Sequence, residues 1–288
     1  MKYEKLLNHD FPVVREHYTE KDTMLYALGI GIGEDPCDEA GLQYVYEENL
    51  QVVPSQAVIL AHPGFWAKDR DIGLDWVRVL HAGQEIIWHK PLPPAATVES
   101  KTRITEVIDK GAKIGAVINS ERTVTDVDSG EELCTLITTI LARGDGGHGA
   151  ERRSTPKQDI IPKEDPHYVC DLTTSKNQAL LYRLSGDYNP IHASPRDARD
   201  AGFEAPILHG LCTLGVATHA LLKTCCDYNS ADFKRMRVRF SSPVYPGETI
   251  RTEIWRQDNI LRFRCKSLQQ GKIVINNGYL ELASPRQP

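Results

Sequence analysis

Long apolar runs are the first thing this chain of 288 residues lacks. No stretch approaches the roughly 18 consecutive apolar residues of a membrane-spanning helix. Residues 1–10 carry charges where a signal peptide needs an apolar centre. A basic excess is missing too: 34 Lys plus Arg stand against 39 Asp plus Glu, a net charge of −5, which excludes a general nucleic-acid binder. The ten His nowhere form H-x-H or H-x-x-x-H, so no metal site is expected. The seven Cys lack a C-x-x-C pair and read as reduced core thiols. There is no G-x-S-x-G elbow, which argues against a serine hydrolase. The run Gly29-Ile30-Gly31-Ile32-Gly33 fails the G-x-G-x-x-G spacing of a dinucleotide loop and follows helix-like residues 23–28. The last residues, 284–288, form neither a prenylation box nor a Ser-Lys-Leu-type tail. A cytoplasmic protein is expected, a peroxisomal one remaining open for a eukaryotic source, with no membrane or nucleic-acid partner.

What is present is the composition of a globular protein, 41% apolar and 25% charged. The Gly-, Pro- and charge-rich stretch from Arg143 to Asp165 has no apolar period and reads as a linker. It divides the chain into residues 1–145, a linker 146–163 and residues 164–288. The two halves repeat one another. Pro91-Leu92-Pro93-Pro94-Ala95-Ala96-Thr97-Val98 returns as Pro243-Val244-Tyr245-Pro246-Gly247-Glu248-Thr249-Ile250. Three Thr-, Val- and Ile-rich runs follow each copy, near 97–108, 113–125 and 133–142, then 248–256, 260–267 and 272–282. The turn signals between them predict antiparallel hairpins.

Each half also has one helical candidate ahead of its strands. The clearer, residues 208–222, is apolar or small on nearly every face and therefore buried, with Gly210, Gly215 and Ala217 open to close approach by a sheet. The expected class is α+β: a buried helix wrapped by an antiparallel sheet, twice.

Chemistry concentrates in Tyr182-Arg183-Leu184-Ser185-Gly186-Asp187-Tyr188-Asn189-Pro190-Ile191-His192. Gly-Asp-x-Asn-Pro is turn chemistry, but it leaves unexplained a His two residues past the Asn. A helix start follows at once, with Ser194 as N-cap, Pro195 as first helical residue and Gly202 as stop. Carboxylate and imidazole together can take and return a proton near neutral pH. Downstream, Pro206-Ile207-Leu208-His209-Gly210 opens the buried helix, where a glycine N–H at the positive end of the helix can meet an oxyanion, or merely relieve crowding. On residues 233–240, Arg235, Arg237 and Arg239 share one face of a strand, either solvated or directed at phosphate.

The run from Tyr182 to His192 resembles the signature of MaoC-like hydratase 2 enzymes. Arg239-Phe240-Ser241-Ser242-Pro243-Val244-Tyr245-Pro246-Gly247-Glu248 is similar to their strand and turn after the central helix. Leu80-His81-Ala82-Gly83-Gln84-Glu85 resembles a segment of the N-terminal half in eukaryotic-type (R)-specific 2-enoyl-CoA hydratases, with Ala82 where that family more often has Gly. The resemblance implies a double hot-dog fold, catalytic Asp187 and His192, and the Gly210 N–H as oxyanion donor. Asn189 would orient the loop or the water, and Arg237, Arg239, Tyr188 and His209 would bind substrate. The first half has no dyad: the positions equivalent to 187, 189 and 192 are Asp35, Cys37 and Ala40. That half is expected to accommodate the acyl chain. The expected reaction is (R)-specific hydration of trans-2-enoyl-CoA in fatty-acid metabolism by a homodimer, with no cofactor beyond the coenzyme A of the substrate. The alternatives are another hot-dog enzyme, a thioesterase or a dehydratase of branched or dicarboxylic acyl-CoA, and a non-catalytic acyl-CoA-binding protein.

Overall fold

The computed structural model describes residues 1–147 and 160–283. In chain order its elements are α1 (Tyr3–Leu7), β1 (Val14–Tyr18), α2 (Glu20–Gly29), α3 (Glu39–Leu42), β2 (Val79–Trp88), β3 (Ala96–Asp109), β4 (Ala116–Asp126), β5 (Glu132–Ala142), β6 (Tyr168–Thr173), α4 (Gln178–Tyr182), α5 (Pro195–Asp200), α6 (Gly210–Cys225), β7 (Phe233–Phe240), β8 (Thr249–Gln257), β9 (Ile260–Ser267) and β10 (Lys272–Leu282). The six strand runs expected from the repeat are β3, β4, β5, β8, β9 and β10. No helix among the described residues is long and apolar enough to cross a membrane. Residues 148–159 of the expected linker and the C-terminal residues 284–288 lie outside the described residues.

By compactness the chain forms two units, and their boundaries differ from those of the repeat. The first comprises Met1–Glu16, Leu60–Lys90 and Thr97–Gln158; the second comprises His17–Ile59, Pro91–Ala96 and Asp159–Pro288. In the first unit β3, β4, β5 and β2 pair antiparallel in that order. Cross-strand partners such as Val124 and Cys134, or Ile86 and Leu136, keep the β-branched and apolar residues on shared faces. Leu6, Phe11, Ile72 and Leu74 complete a core over Ile104, Ile118 and Ile140. The Leu80-His81-Ala82-Gly83 segment runs along β2, and the pairing register shifts between His81 and Gly83, so Ala82 sits at a bulge.

In the second unit β7, β10, β9, β8 and β6 pair antiparallel in that order. Every residue from Cys212 to Leu222 on α6 is buried, as expected of a helix that is apolar or small on nearly every face. Part of its cover comes from the N-terminal segment. The backbone carbonyl of Gly29, at the end of α2, accepts hydrogen bonds from Gln178 Nε2 at 2.6 Å and from Cys212 Sγ at 3.4 Å. Tyr44 Oη donates to the carbonyl of Tyr228 at 2.6 Å. Close approach to α6 at Gly215 is made by Ile30 rather than by a strand: a Cβ on Gly215 would stand 2.3 Å from Ile30 Cγ2. The Gly29–Gly33 run is thus a chain reversal, with Gly31 and Gly33 at φ of +88° and +87°. All seven cysteines are free thiols, five of them buried.

Candidate active site

The site is built on a loop pinned at both ends, all within the second unit. After α4 a tight turn, Arg183–Ser185, ends on Gly186 at φ +115°, a conformation glycine adopts without strain. Asp187 follows, and its Oδ1 accepts the N–H of Asn189 at 3.1 Å. Asn189 in turn caps the short turn Pro190–His192. Beyond His192 the loop closes where Ser194 Oγ accepts the N–H of Asp197, with Pro195 opening α5 and Gly202 at φ +89° after it. Two Asx-type contacts and a helix cap therefore fix the backbone that carries Asp187 and His192.

His192 is buried, and its Nδ1 lies 2.8 Å from the carbonyl oxygen of Ile207. A carbonyl only accepts, so Nδ1 carries the hydrogen and Nε2 keeps its lone pair. Burial lowers the pKa of His192, against the opposing pull of that hydrogen bond and of the Asp187 charge. The neutral base form is therefore the ground state near neutral pH.

His209, the residue that caps α6, stacks on His192 with ring centroids 3.6 Å apart and planes 26° apart. Its Nε2 lies 3.2 Å from the carbonyl oxygen of Asp187 and donates to it by the same reasoning. Burial first, and then the charge His192 would carry, pulls His209 down to about 4. Its Nδ1 is buried without a hydrogen-bond partner. Next to it, Gly210 is the first residue of α6 and faces solvent. An N–H in the first helical turn has no partner within the helix. A Cβ on Gly210 would meet only Phe240, at 3.7 Å, an ordinary contact, so crowding does not call for glycine there.

Asp187, His192 and His209 thus converge, each offering an atom within 4.8 Å of the others. They make a poor metal site. A lone pair lies in the plane of its imidazole, and two stacked rings direct theirs along near-parallel planes instead of at one point. Asn189 is exposed beside Asp187, and Tyr188 is 57% exposed. Arg237 and Arg239 stand apart from this group. Met236 meets Thr218 of α6 and Phe240 lies over Gly210, so strand alternation puts both arginines on the other face of β7, where Arg237 packs over Tyr279. The Ile207 carbonyl, which orients His192, has no signature in residue type; only its place just before His209-Gly210 points to it.

A carboxylate and an imidazole brought together beside a helix N-terminus, on a helix wrapped by an antiparallel sheet, fit the architecture of a hot-dog hydro-lyase. The MaoC like domain family matches residues 157–278, and the MFE-2 hydratase 2 N-terminal domain family matches residues 17–144. "Enoyl-CoA hydratase 2, peroxisomal" of Arabidopsis thaliana is 37% identical over 300 residues, covering 96% of this chain and 94% of its own. "Peroxisomal multifunctional enzyme type 2" of Mus musculus is 35% identical over 285 residues; this chain spans 38% of its length. The crystal structure of a MaoC-like dehydratase from Phytophthora capsici superposes with a TM-score of 0.85 at 32% identity, over 99% of this chain and 100% of that one. The chain belongs to the enoyl-CoA hydratase 2 family of MaoC-like enzymes, and its fold is the double hot-dog.

Proposed function

We infer that the protein adds water across the double bond of a trans-2-enoyl-CoA to give the (3R)-3-hydroxyacyl-CoA, as part of fatty-acid β-oxidation. The observation that carries this reading is the commitment of His192 Nδ1 to the Ile207 carbonyl, which leaves one imidazole nitrogen as an acceptor beside the Asp187 carboxylate. Two acceptors hold a water by its two hydrogens. As the water oxygen attacks C3, the pair takes one proton. The electron pair of the double bond moves toward the thioester, whose oxygen gains charge and is met by the Gly210 N–H. The proton held by the pair then goes to C2, so the atoms of water and enoyl thioester are all accounted for. Asp187 and His192 act as a coupled unit in this scheme. Asn189 orients Asp187 through its backbone N–H.

The thioester itself acidifies C2, so the scheme calls for no metal and no organic cofactor. We propose further that the first half of the chain accommodates the acyl tail and that the working form is a homodimer. The seven free thiols are in keeping with a reducing compartment such as the cytoplasm.

The test is incubation with crotonyl-CoA and a longer enoyl-CoA, following loss of enoyl absorbance and resolving the configuration at C3 of the product. A 3R product without release of free thiol is expected. Thiol release would mean thioester hydrolysis instead, and a 3S product would refute the stereochemical assignment.

A further inference from the structure

Several arginines among the described residues are paired with a carboxylate. Arg78 lies on Asp75, Arg103 on Glu121, Arg251 on Asp171 and Arg264 on Glu253. Arg183, four residues before Asp187 on the same pinned loop, is different. Among the described residues no carboxylate meets its guanidinium, and its Nε is buried without a hydrogen-bond partner. What holds it is an aromatic face: its Cζ stands 4.8 Å over the ring of Tyr188, itself 57% exposed. A guanidinium held over a ring face is restrained in orientation, and its planar fork of N–H donors is suited to taking an oxyanion bidentately. The positive charge is felt inside the site, where it is one of the influences lowering the pKa of His209.

A guanidinium on the catalytic loop with no carboxylate partner among the described residues calls for an anion from outside them. The acyl chain and thioester of the substrate are uncharged; its phosphates are not. Arg237 and Arg239, on the far face of β7, are not placed to share the task. We propose that Arg183, held on the ring of Tyr188, takes a phosphate of the coenzyme A portion of the substrate. The assignment rests on the hydratase reading for its ligand and gives that same site its anchor for the substrate's charged end. Arg183 is then a binding residue that discriminates between thioesters with and without phosphate.

The experiment compares wild type with Arg183→Gln on an enoyl-CoA and on the matching enoyl-pantetheine thioester, which has no phosphate. Binding of free coenzyme A is measured on the same proteins by calorimetry, and thermal melts show that each variant is folded. The preference for the CoA thioester, taken as the ratio of the two kcat/KM values, should fall about 10- to 100-fold in Arg183→Gln, as loss of a charge-assisted contact predicts. The Kd for coenzyme A should rise by a similar factor. Arg183→Lys, which keeps the charge without the fork, should recover part of both effects. Should Arg183→Gln melt early, Tyr188→Leu, which removes the supporting face, should move the ratio in the same direction. An unchanged ratio with unchanged coenzyme A affinity would overturn the proposal. So would an equal loss on both thioesters, since that would make Arg183 a support for the catalytic loop. If wild type hydrates neither thioester, the hydratase reading fails, while the calorimetry still decides the fate of Arg183.

Discussion

The imidazole of His209 lies flat against that of His192, 3.6 Å between centroids, and also donates to the carbonyl of Asp187. One side chain thereby touches both members of the pair to which we assign the chemistry, and it comes from the residue that caps α6. The loop and the helix start are thus tied together by a ring that burial keeps neutral.

Asp187→Ala and His192→Ala should each lower hydration at saturating enoyl-CoA by about 10²–10⁴-fold, the usual share of one positioned acid or base. Each variant loses one loop contact, Asp187 Oδ1 to the Asn189 N–H or His192 Nδ1 to the Ile207 carbonyl. The Asn189 and Ser194 caps remain, so circular dichroism should stay close to wild type with a modest drop in melting temperature. A loss below tenfold in both variants would remove the pair from the chemistry.

Two glycines of α6 should differ in their response to alanine. Gly215→Ala forces a Cβ to 2.3 Å from Ile30 Cγ2, and Ile30 is a buried β-branched residue with little room to yield. Overpacking of this kind costs about 1–3 kcal/mol. Gly210→Ala adds only ordinary contact with Phe240 and should melt like wild type. Gly210→Pro removes the N–H at a position where helices tolerate proline, and His209 at φ −60° and ψ 139° already has the extended backbone that a following proline favours. Its turnover should drop about 10²–10³-fold. Equal activity of folded Gly210→Ala and Gly210→Pro would send the search for an oxyanion donor elsewhere.

Stability should fall on the acid side, and His219 on α6 supplies a share of the effect. Burial, aided by the Lys223 charge, pulls it down to about 4, whereas the unfolded chain protonates near the ordinary 6.5. As pH falls the unfolded state takes up the proton first, so stability is full above 6.5 and is lost as the pH approaches 4. At pH 5 the share is about 2 kcal/mol. In urea titrations, His219→Gln, which retains a group to meet the Tyr228 hydroxyl, should show a difference between pH 7 and pH 5 that is smaller by about that amount. An unaltered difference would show that His219 protonates freely in the native state.

Residues 164–288 expressed alone should be aggregated or inactive. Such a fragment loses Ile30 from Gly215, Gly29 from Gln178 and Tyr44 from Tyr228, all contacts made by residues that belong to the same compact unit. Retention of full-length turnover by the fragment would show that this cover is dispensable.

What could be read in advance was local. The β-branched runs with their turn signals located β3 to β5 and β8 to β10, and Ser194-Pro195 with Gly202 marked both ends of α5, because each signal and its consequence lie within a few residues. The convergence of Asp187 and His192 was legible for the same reason, being set by one turn motif. The partner of His192 Nδ1 was not, since a backbone carbonyl carries no residue code. Nor was the seat of Ile30 against Gly215, which depends on packing between segments remote in sequence. Arg237 and Arg239 drew attention as a charged stripe, but the strand that carries them turns its other face to the helix.

The cover that His17–Ile59 provides for the second unit also sets an order of events during synthesis. That segment leaves the ribosome long before the sheet and helix it packs against, which begin beyond the linker. Its Tyr26, Ile30 and Tyr44, fully buried in the finished protein, pack against Tyr182, Gly215 and Tyr228, which are synthesised only after the linker. Contacts so distant along the chain slow folding, and apolar surface left waiting invites association with other molecules. The nascent chain should therefore be a client for holding chaperones during the interval in which its first helices are complete and its last strands are not.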